Sequence, residues 1–308
     1  MMNKIVAIQG NHPSKLNLKT DTSVFLANEI QKKNYRIFYY DPKNLSIVNS
    51  KVIAEGFFIK FNYNNKKFYR ILKKQKLNLI KCKYLLIRQD PPFNLEYISS
   101  TFILETLKNK VKIINDPTAI RNISEKLYSV KYQRFMPNTI FTQNIQEIKN
   151  FFKKNKHVIL KPIHSFSGND IHLLNKFKFK FIQRLIKKHN YIMCQKYLPK
   201  ISKGDKRVFL INGKICGAIS RVPQKGSYLS NMSKGATAKN TQLTKFEKSI
   251  SKLIAKDLKK DKIYFAGIDF IDQKLNGDIN VTSPTGLKTL FDISKINLAK
   301  TFWKYLKA

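Results

Sequence analysis

Acidic residues are scarce in this chain. Against 59 Lys and Arg stand only 19 Asp and Glu, a formal net charge of +40 over 308 residues. Cysteine is scarcer still: Cys82, Cys194 and Cys216, with no CxxC pair among them. An odd number at such spacing argues against a disulfide framework and against a structural zinc site. Long apolar runs are missing. Those present are about the length of Tyr84-Leu85-Leu86-Ile87, far below the roughly 18 residues of a spanning helix. Near the N-terminus only Ile5-Val6-Ala7-Ile8 precedes Gln9, too short for a signal-peptide core. A soluble, cytoplasmic protein with no membrane partner is expected. No GxGxxG follows that first apolar run, so a dinucleotide site there is not expected. His12, His157, His164, His172 and His189 show no zinc spacing such as HExxH, and no Ser/His/Asp set stands out.

What is present is enough for real cores. The hydrophobic fraction is 43% and the aromatic fraction 12%, which excludes a largely disordered chain. The length suits about two domains. The positive charge is spread from Lys4 to Lys307, and the chain is rich throughout in Lys, Asn, Ile and Phe. That is the mark of an AT-rich genome. Clusters such as Lys66-Lys67 and Lys259-Lys260 lie between apolar residues and read as solvated surface. A specific nucleic-acid partner is not expected, although such a charge would release counterions from any polyanion.

Strands and helices alternate in the first third. Residues 5–8, 35–40, 83–88 and 111–114 read as strands. Helices are expected from Asp21 or Thr22 to about residue 33 and over about 95–108. This is an open α/β pattern. At Asn115-Asp116-Pro117 the character changes: Asp116 suits an N-cap and Pro117 a first helical position. Ile120, Ile123, Leu127 and Val130 follow at helical spacing, and a domain boundary is placed near residue 120. Beyond it, strand-like runs occur at 139–142, 157–162, 191–198, 206–212, 215–221, 263–271 and 278–282. Asn212-Gly213 is a strong hairpin turn signal, and Asn276-Gly277 a weaker one. The second part thus reads as α+β with antiparallel sheets. Residues 222–242 are polar and aperiodic, and a loop of that length is usually functional.

Several side chains carry chemistry. Asp269 interrupts the apolar run 267–271, and Asp278 and Asn280 are two apart, so they face one way on a strand. A hairpin would bring the three oxygen donors together, and oxygens suit Mg²⁺. Lys161 ends the strand Val158-Ile159-Leu160, where it can meet a phosphate as a point charge. Ser165-Phe166-Ser167-Gly168 follows as a small-residue turn whose N–H groups can cradle phosphate oxygens. Gln195, with Tyr197-Leu198, closes another apolar strand and can read an adenine edge. Asp205, Arg207 and Arg221 lie on the two arms of a hairpin, where arginines bind phosphate or carboxylate in bidentate fashion. Arg88, with Asp90-Pro91-Pro92, ends a parallel strand, where open α/β sheets place ligands.

In order along the chain, Arg88-Gln89-Asp90-Pro91-Pro92-Phe93, Asn115-Asp116-Pro117, Glu125-Lys126-Leu127, Ile159-Leu160-Lys161-Pro162, Gly204-Asp205-Lys206-Arg207, Arg221-Val222-Pro223-Gln224 and Ile279-Asn280-Val281-Thr282-Ser283-Pro284-Thr285 resemble bacterial glutathione synthetase, an ATP-grasp ligase. The resemblance runs from about Asn17 to Thr285. It implies an N-terminal substrate domain over 1–120 and an ATP-grasp domain over 121–308. The latter would carry a lid subdomain at about 121–199, a lid loop at about 222–239, and ATP between two antiparallel sheets. Lys126 and Lys161 would bind phosphates, and Gln195, Tyr197 and Leu198 would line the adenine pocket. Asp205 and Arg207 would serve nucleotide binding. Asp269, Asp278 and Asn280 would hold Mg²⁺ or Mn²⁺. Arg88, Asp90, Arg221 and the lid's Asn231 would bind substrate, with Arg207 and Arg221 catalytic.

The chain also departs from the family. Only one glycine remains in His164-Ser165-Phe166-Ser167-Gly168, Asp278 stands where Glu is usual, Leu229 where Arg is common, and Ala236 in place of a glycine. The implied reaction joins γ-glutamylcysteine to glycine through an acyl phosphate, with ADP and phosphate released, in a homo-oligomer. The alternatives are a related ligase with another acid or amine, and a weakly active paralogue that binds polyanions.

Overall fold

The computed structural model describes residues 4–63 and 68–308; the Lys66-Lys67 cluster lies outside them. The chain begins with β1 (Ile5–Gln9), α1 (Thr22–Gln31), β2 (Arg36–Tyr40), β3 (Leu45–Val48), β4 (Lys51–Phe61), β5 (Tyr69–Asn78), β6 (Tyr84–Ile87), α2 (Leu95–Glu105) and β7 (Lys112–Ile114). They build a sheet of order β3-β4-β2-β1-β6-β7, with β5 on the other edge of β4. β1 pairs in parallel with β2 and β6, and β6 with β7. Every residue of β1 and β6 is buried, as expected for parallel strands covered on both faces. Strands β3, β4 and β5 form an antiparallel wing that the sequence pattern did not suggest.

Then come α3 (Pro117–Asn122), β8 (Thr139–Thr142), α4 (Ile145–Asn155), β9 (Val158–Pro162), β10 (His172–Leu174), α5 (Phe179–His189) and β11 (Ile192–Lys196). The strands form a four-stranded antiparallel sheet, β10-β9-β11-β8. Ile148 of α4 and Ile182 and Leu185 of α5 close a core against Val158, Leu160 and Ile192. The remainder is β12 (Asp205–Ile211), β13 (Lys214–Val222), β14 (Thr237–Asn240), α6 (Lys245–Lys260), β15 (Phe265–Ile271), β16 (Lys274–Asn280), α7 (Leu287–Ser294) and α8 (Leu298–Tyr305). Its sheet, β14-β13-β12-β15-β16, is antiparallel throughout. Helix α6 starts at a capping box, Thr244 with Glu247, and seats Ile250, Ile254 and Leu258 in the core beneath β12 and β15. No helix among the described residues is long and apolar enough to cross a membrane.

Asn115 ties the first sheet to the third. Its Nδ2 donates to Phe265 O at 2.8 Å and Val281 O at 2.7 Å, and its Oδ1 accepts from Tyr264 N and Phe265 N, both at 2.8 Å. Helices α1, α7 and α8 meet in a shared core around Trp303, whose Nε1 donates to Leu26 O at 2.9 Å.

Two local expectations are corrected. The stripe Ile120, Ile123, Leu127, Val130 is not one helix. Asp116 caps α3 as expected, accepting from Thr118 N and Ala119 N, but α3 stops at Asn122 and Ile123 is extended. Leu127 and Val130 are exposed. Tertiary bonds enforce the break: Glu125 O accepts from Ile279 N, and Glu125 Oε1 accepts from Val281 N, Thr282 N and Thr282 Oγ. Secondly, Asn276-Gly277 is not the β15–β16 turn. That turn is Asp272-Gln273, both at positive φ, whereas Gly277 (φ +83°) sits in a bulge of β16. The positive φ favours glycine, and a Cβ there would press on the ends of the Met193 and Met136 side chains, at 2.4 and 2.9 Å. The polar segment 222–242 is shorter as a loop than its composition suggested, because β14 takes up its end.

Candidate active site

The register of the large sheet assembles the site. Asp205 and Arg207 alternate on one face of β12. Directly opposite stand Arg221 on β13 and Asp269 on β15. The cross-strand pairs therefore meet without loop help. Arg207 grips Asp269 at both carboxylate oxygens, 2.8 and 2.7 Å. Arg221 grips Asp205 at both oxygens, with Nε to Oδ1 at 2.8 Å, and its Nη2 also reaches Asp269 Oδ2 at 3.0 Å. All four side chains are buried. Burial pushes the Asp269 carboxyl up, but the two guanidinium groups outweigh it and hold it below the usual range. Among the described residues, sequence reasoning missed Ser230, whose Oγ donates to Asp205 Oδ2 at 2.7 Å.

The lysines come from the other side. Lys161, on β9, donates to Asn276 O and Asn276 Oδ1, both at 2.8 Å, and to Asp278 Oδ2 at 3.4 Å. The bulge at Gly277 presents that carbonyl. Lys126 donates to Ser165 O at 2.7 Å and lies 3.6 Å from Asp278 Oδ1. Burial lowers the Lys161 pKa, partly offset by Asp278. For Asp278, burial raises the pKa, but Lys161 and Lys126 pull it below the ordinary value. Asn280 Nδ2 donates to Gly267 O at 3.2 Å and stands 3.5 Å from Asp269 Oδ2; with the nitrogen engaged, the amide oxygen is the atom it can offer a cation. Gln195, buried on β11, donates to Thr139 Oγ at 3.0 Å.

Lys126, Lys161, Gln195, Tyr197, Leu198, Asp205, Arg207, Arg221, Asn231, Asp269, Asp278 and Asn280 all line one cleft between the two antiparallel sheets. The oxygen donors Asp269, Asp278 and Asn280 suit a hard divalent cation. Both carboxylates already have basic partners, so the set fits a cation that arrives with phosphates to engage those bases.

A second cavity of about 440 Å³ opens beside the first and shares Arg207, Arg221, Asn231 and Asn280 with it. Its far end carries Lys15, Asp21 and Asp90. Asp90 accepts from Asn11 Nδ2 at 2.8 Å. Burial raises the carboxyls of Asp21 and Asp90, and Arg88 opposes it in both. Arg88 itself lies behind this wall. Its Nε donates to Ser23 Oγ and its Nη2 to Pro284 O, both at 3.0 Å, and neither cavity is lined by it. Arg88 shapes this wall, and its Nη1 is buried there without a hydrogen-bond partner among the described residues. Lys15 and Asp21 gave no sequence signal beyond the capping role of Asp21, which accepts from Val24 N at 2.8 Å.

The loop 223–236 lies over the loop 163–171. Tyr228 Oη donates to Ile171 O at 3.2 Å, and Lys234 Nζ to Asn169 Oδ1 at 2.9 Å. Gly168 (φ +75°) has no room for a Cβ, which would meet Asn231 Oδ1 at 2.6 Å.

Comparison with known proteins agrees with this arrangement. Residues 5–121 match the model for the prokaryotic glutathione synthetase N-terminal domain, and residues 125–295 that for its ATP-grasp domain. The chain is 34% identical over 303 residues to the glutathione synthetase of Mesorhizobium japonicum, covering 97% of this chain and 96% of that one. It is 32% identical to that of Buchnera aphidicola from Acyrthosiphon pisum, covering 95% and 93%. Among solved structures, the D-cycloserine synthetase DcsG superposes with a TM-score of 0.66 at 10% identity, over 98% of this chain and 99% of that one. The ATP-grasp ligase PsnB, solved with a precursor variant, Mg and ADP, superposes with a TM-score of 0.64 at 13% identity, over 100% and 98%. The fold is that of the ATP-grasp ligases, and the chain belongs to the prokaryotic glutathione synthetase family.

Proposed function

We propose that this protein joins γ-glutamylcysteine to glycine at the expense of ATP, releasing glutathione, ADP and phosphate. The observation that carries this reading is that Arg207 and Arg221 line both cavities at once. A carboxylate and a polyphosphate are both anions, and their approach needs positive charge at the point where they meet. The nucleotide takes the cleft between the sheets, with its base beside Gln195, Tyr197 and Leu198 and its phosphates on Lys126 and Lys161. Asp205 orients Arg221 and Asp269 orients Arg207. The dipeptide takes the second cavity. Its terminal ammonium faces Asp21 and Asp90, and Asn231 closes over its reacting end.

Asp269, Asp278 and Asn280 would hold Mg²⁺, or Mn²⁺, which takes the same donors. The ion supplies neutralisation of the transferring phosphoryl group. The cysteinyl carboxylate oxygen attacks the γ-phosphorus, and ADP leaves. The glycine amine then attacks the acyl carbon, phosphate leaves, and the amine gives up its proton. The loop 223–236 excludes water, which would otherwise hydrolyse the acyl phosphate. The chain divides near residue 120 into a substrate domain and the nucleotide-binding domain, with 121–199 as lid subdomain, and the family resemblance suggests a homo-oligomer.

ADP formation measured with each substrate omitted tests the reading. Full rate requiring both γ-glutamylcysteine and glycine supports it; no stimulation by either overturns it. A second reading, a ligase of this architecture for a different acid or amine, draws on Phe166 and Leu229, which put apolar side chains on the cleft wall. A panel of acids and amines in the same assay separates the two.

A further inference from the structure

The loop 223–236 bonds mostly to itself and to the loop 163–171. Among the described residues, one hydrogen bond ties it to the strands beneath, that of Ser230 Oγ to Asp205 Oδ2 at 2.7 Å. Both side chains are buried. The acceptor oxygen also takes Arg221 Nη2, and Arg221 in turn reaches Asp269. Ser230 is thus the loop's end of a chain of polar contacts that runs through Asp205 to Arg221. Its neighbour Asn231 lines both large cavities.

A hydroxyl on an ionised carboxylate makes one of the stronger hydrogen bonds. The loop's ties to 163–171 are weaker: Lys234 to Asn169 is exposed, and Tyr228 Oη to Ile171 O is 3.2 Å long. The bond also bears on charge. Nε and Nη2 of Arg221 are taken by Asp205 and Asp269. Nη1 has no partner among the described residues, so it is the atom Arg221 can offer an anion where the two cavities meet. A carboxylate that accepts a further hydrogen bond has less charge to set against its arginine. If the loop lifts, water can replace the hydroxyl, but water raises the local dielectric and weakens the pull of Arg221 on any anion.

We infer that Ser230 is a positioning residue: through Asp205 it makes the strength with which Arg221 holds an anion depend on closure of the loop. Transfer of the phosphoryl group to the carboxylate is then fast only beneath a closed loop, where water is shut out. This coupling rests on the ligase reading of the site and adds an order to it, closure before transfer.

The test compares full-length wild type with Ser230→Ala, which removes the hydroxyl and little volume. ADP formation is followed in a single quenched turnover, with enzyme in excess over ATP and with Mg²⁺, γ-glutamylcysteine and glycine present. Trypsin cleavage of the loop is followed under the same ligands. Ser230→Ala should form ADP about tenfold more slowly, and its loop should be cut about threefold faster or more, as expected for one lost hydrogen bond to a charged group. Ser230→Cys, close in shape but a weaker donor, should lie between the two and serves if the alanine variant folds poorly. Lys234→Ala, which removes an exposed tie of the same loop, should form ADP within about twofold of the wild-type rate. ADP formation at the wild-type rate in both Ser230 variants, with or without a lower yield of glutathione, means that Ser230 at most seals the loop and overturns the coupling. Slower ADP formation with unchanged cleavage separates Arg221 from the loop and overturns it as well. An equal loss in Lys234→Ala overturns the assignment to Ser230. All three outcomes leave the ligase reading intact, whereas a wild type that forms no ADP with these substrates overturns both.

Discussion

The floor and the roof of the cleft are built on different principles. The floor is strand-borne. Asp205, Arg207, Arg221 and Asp269 are fixed by antiparallel register, are buried, and hold one another in bidentate pairs. The roof is two loops, 163–171 and 223–236, joined to each other by single hydrogen bonds, Lys234 to Asn169 between exposed residues and Tyr228 to Ile171 between half-buried ones. Register leaves a charged side chain few alternatives, and a buried pair is costly to break. A loop contact between exposed groups is worth little and opens easily. Most departures of this chain from the family, His164, Ser165, Phe166, Ser167, Leu229 and Ala236, are in the roof, where change costs stability least; Asp278, on β16, is the exception.

Substitutions in the floor should be the most damaging. Arg221→Met keeps an unbranched apolar stem but removes the guanidinium and leaves Asp205 buried with only the Ser230 side chain as partner. Loss of one member of a buried pair costs about 3–5 kcal/mol, so thermal melting should drop clearly and ADP formation should be lost. A variant that melts like wild type would show that the floor is no more rigid than the roof.

Asp278→Asn is next. It leaves Lys126 and Lys161 buried without their shared carboxylate, so stability should fall by an amount approaching that of Arg221→Met. The Mg²⁺ concentration needed for turnover should rise. The pH dependence carries a sign. The Asp278 carboxyl is depressed in the folded protein, so its stabilisation is present above the ordinary carboxylate pKa and fades as pH falls through the folded value. Acid unfolding below about pH 4 should therefore be shallower in Asp278→Asn. Equal acid limbs would remove Asp278 from the lysine pair.

Roof substitutions should barely alter melting. Lys234→Ala removes one exposed contact, worth less than about 0.5 kcal/mol. Trypsin should cut at Lys225, Lys234 or Lys239 in the free protein and be slowed by Mg-ATP with γ-glutamylcysteine. Cleavage unchanged by these ligands would mean that the loop does not close over them.

The same division governs what could be read from the sequence. The floor was legible because strand periodicity puts Asp278 and Asn280 on one face and because Asn212-Gly213 announces its hairpin; that turn is present, with both residues at positive φ. The helix-breaking role of Glu125 was not legible. It depends on bonds to Val281 and Thr282, more than 150 positions away. Nor was the true β15–β16 turn at Asp272-Gln273, because a bulge at Gly277 shifts the register and composition marks the glycine, not the turn. Arg88 was read as a substrate contact from its place at a strand end. Position along a strand does not say how the guanidinium is held: Nε and Nη2 bond Ser23 and Pro284, and Nη1 is left without a partner among the described residues.

The smallest effect expected is that of His164, and it separates the roof from the floor by pH alone. Burial first, and then the charge of Lys126, lowers the pKa of its imidazole. The unfolded chain therefore binds a proton on His164 near pH 6.5 while the folded protein still resists it. Stability should decline as pH falls from about 6.5 toward the folded value, and the decline should be slight because the ring is exposed on one side. His164→Gln cannot take up that proton. Its melting temperature should fall less than that of wild type between pH 7 and 5, whereas Asp278→Asn should follow wild type over this range and part from it only in stronger acid. Bound ATP should reverse the sign at His164, since phosphate anions favour the protonated ring. In the presence of Mg-free ATP the difference between wild type and His164→Gln should shrink or invert. If melting curves of the two proteins run parallel from pH 7 to 5 with and without nucleotide, His164 does not sense the phosphate-binding end of the cleft, and the loop 163–171 is held by its other contacts, such as Lys234 to Asn169.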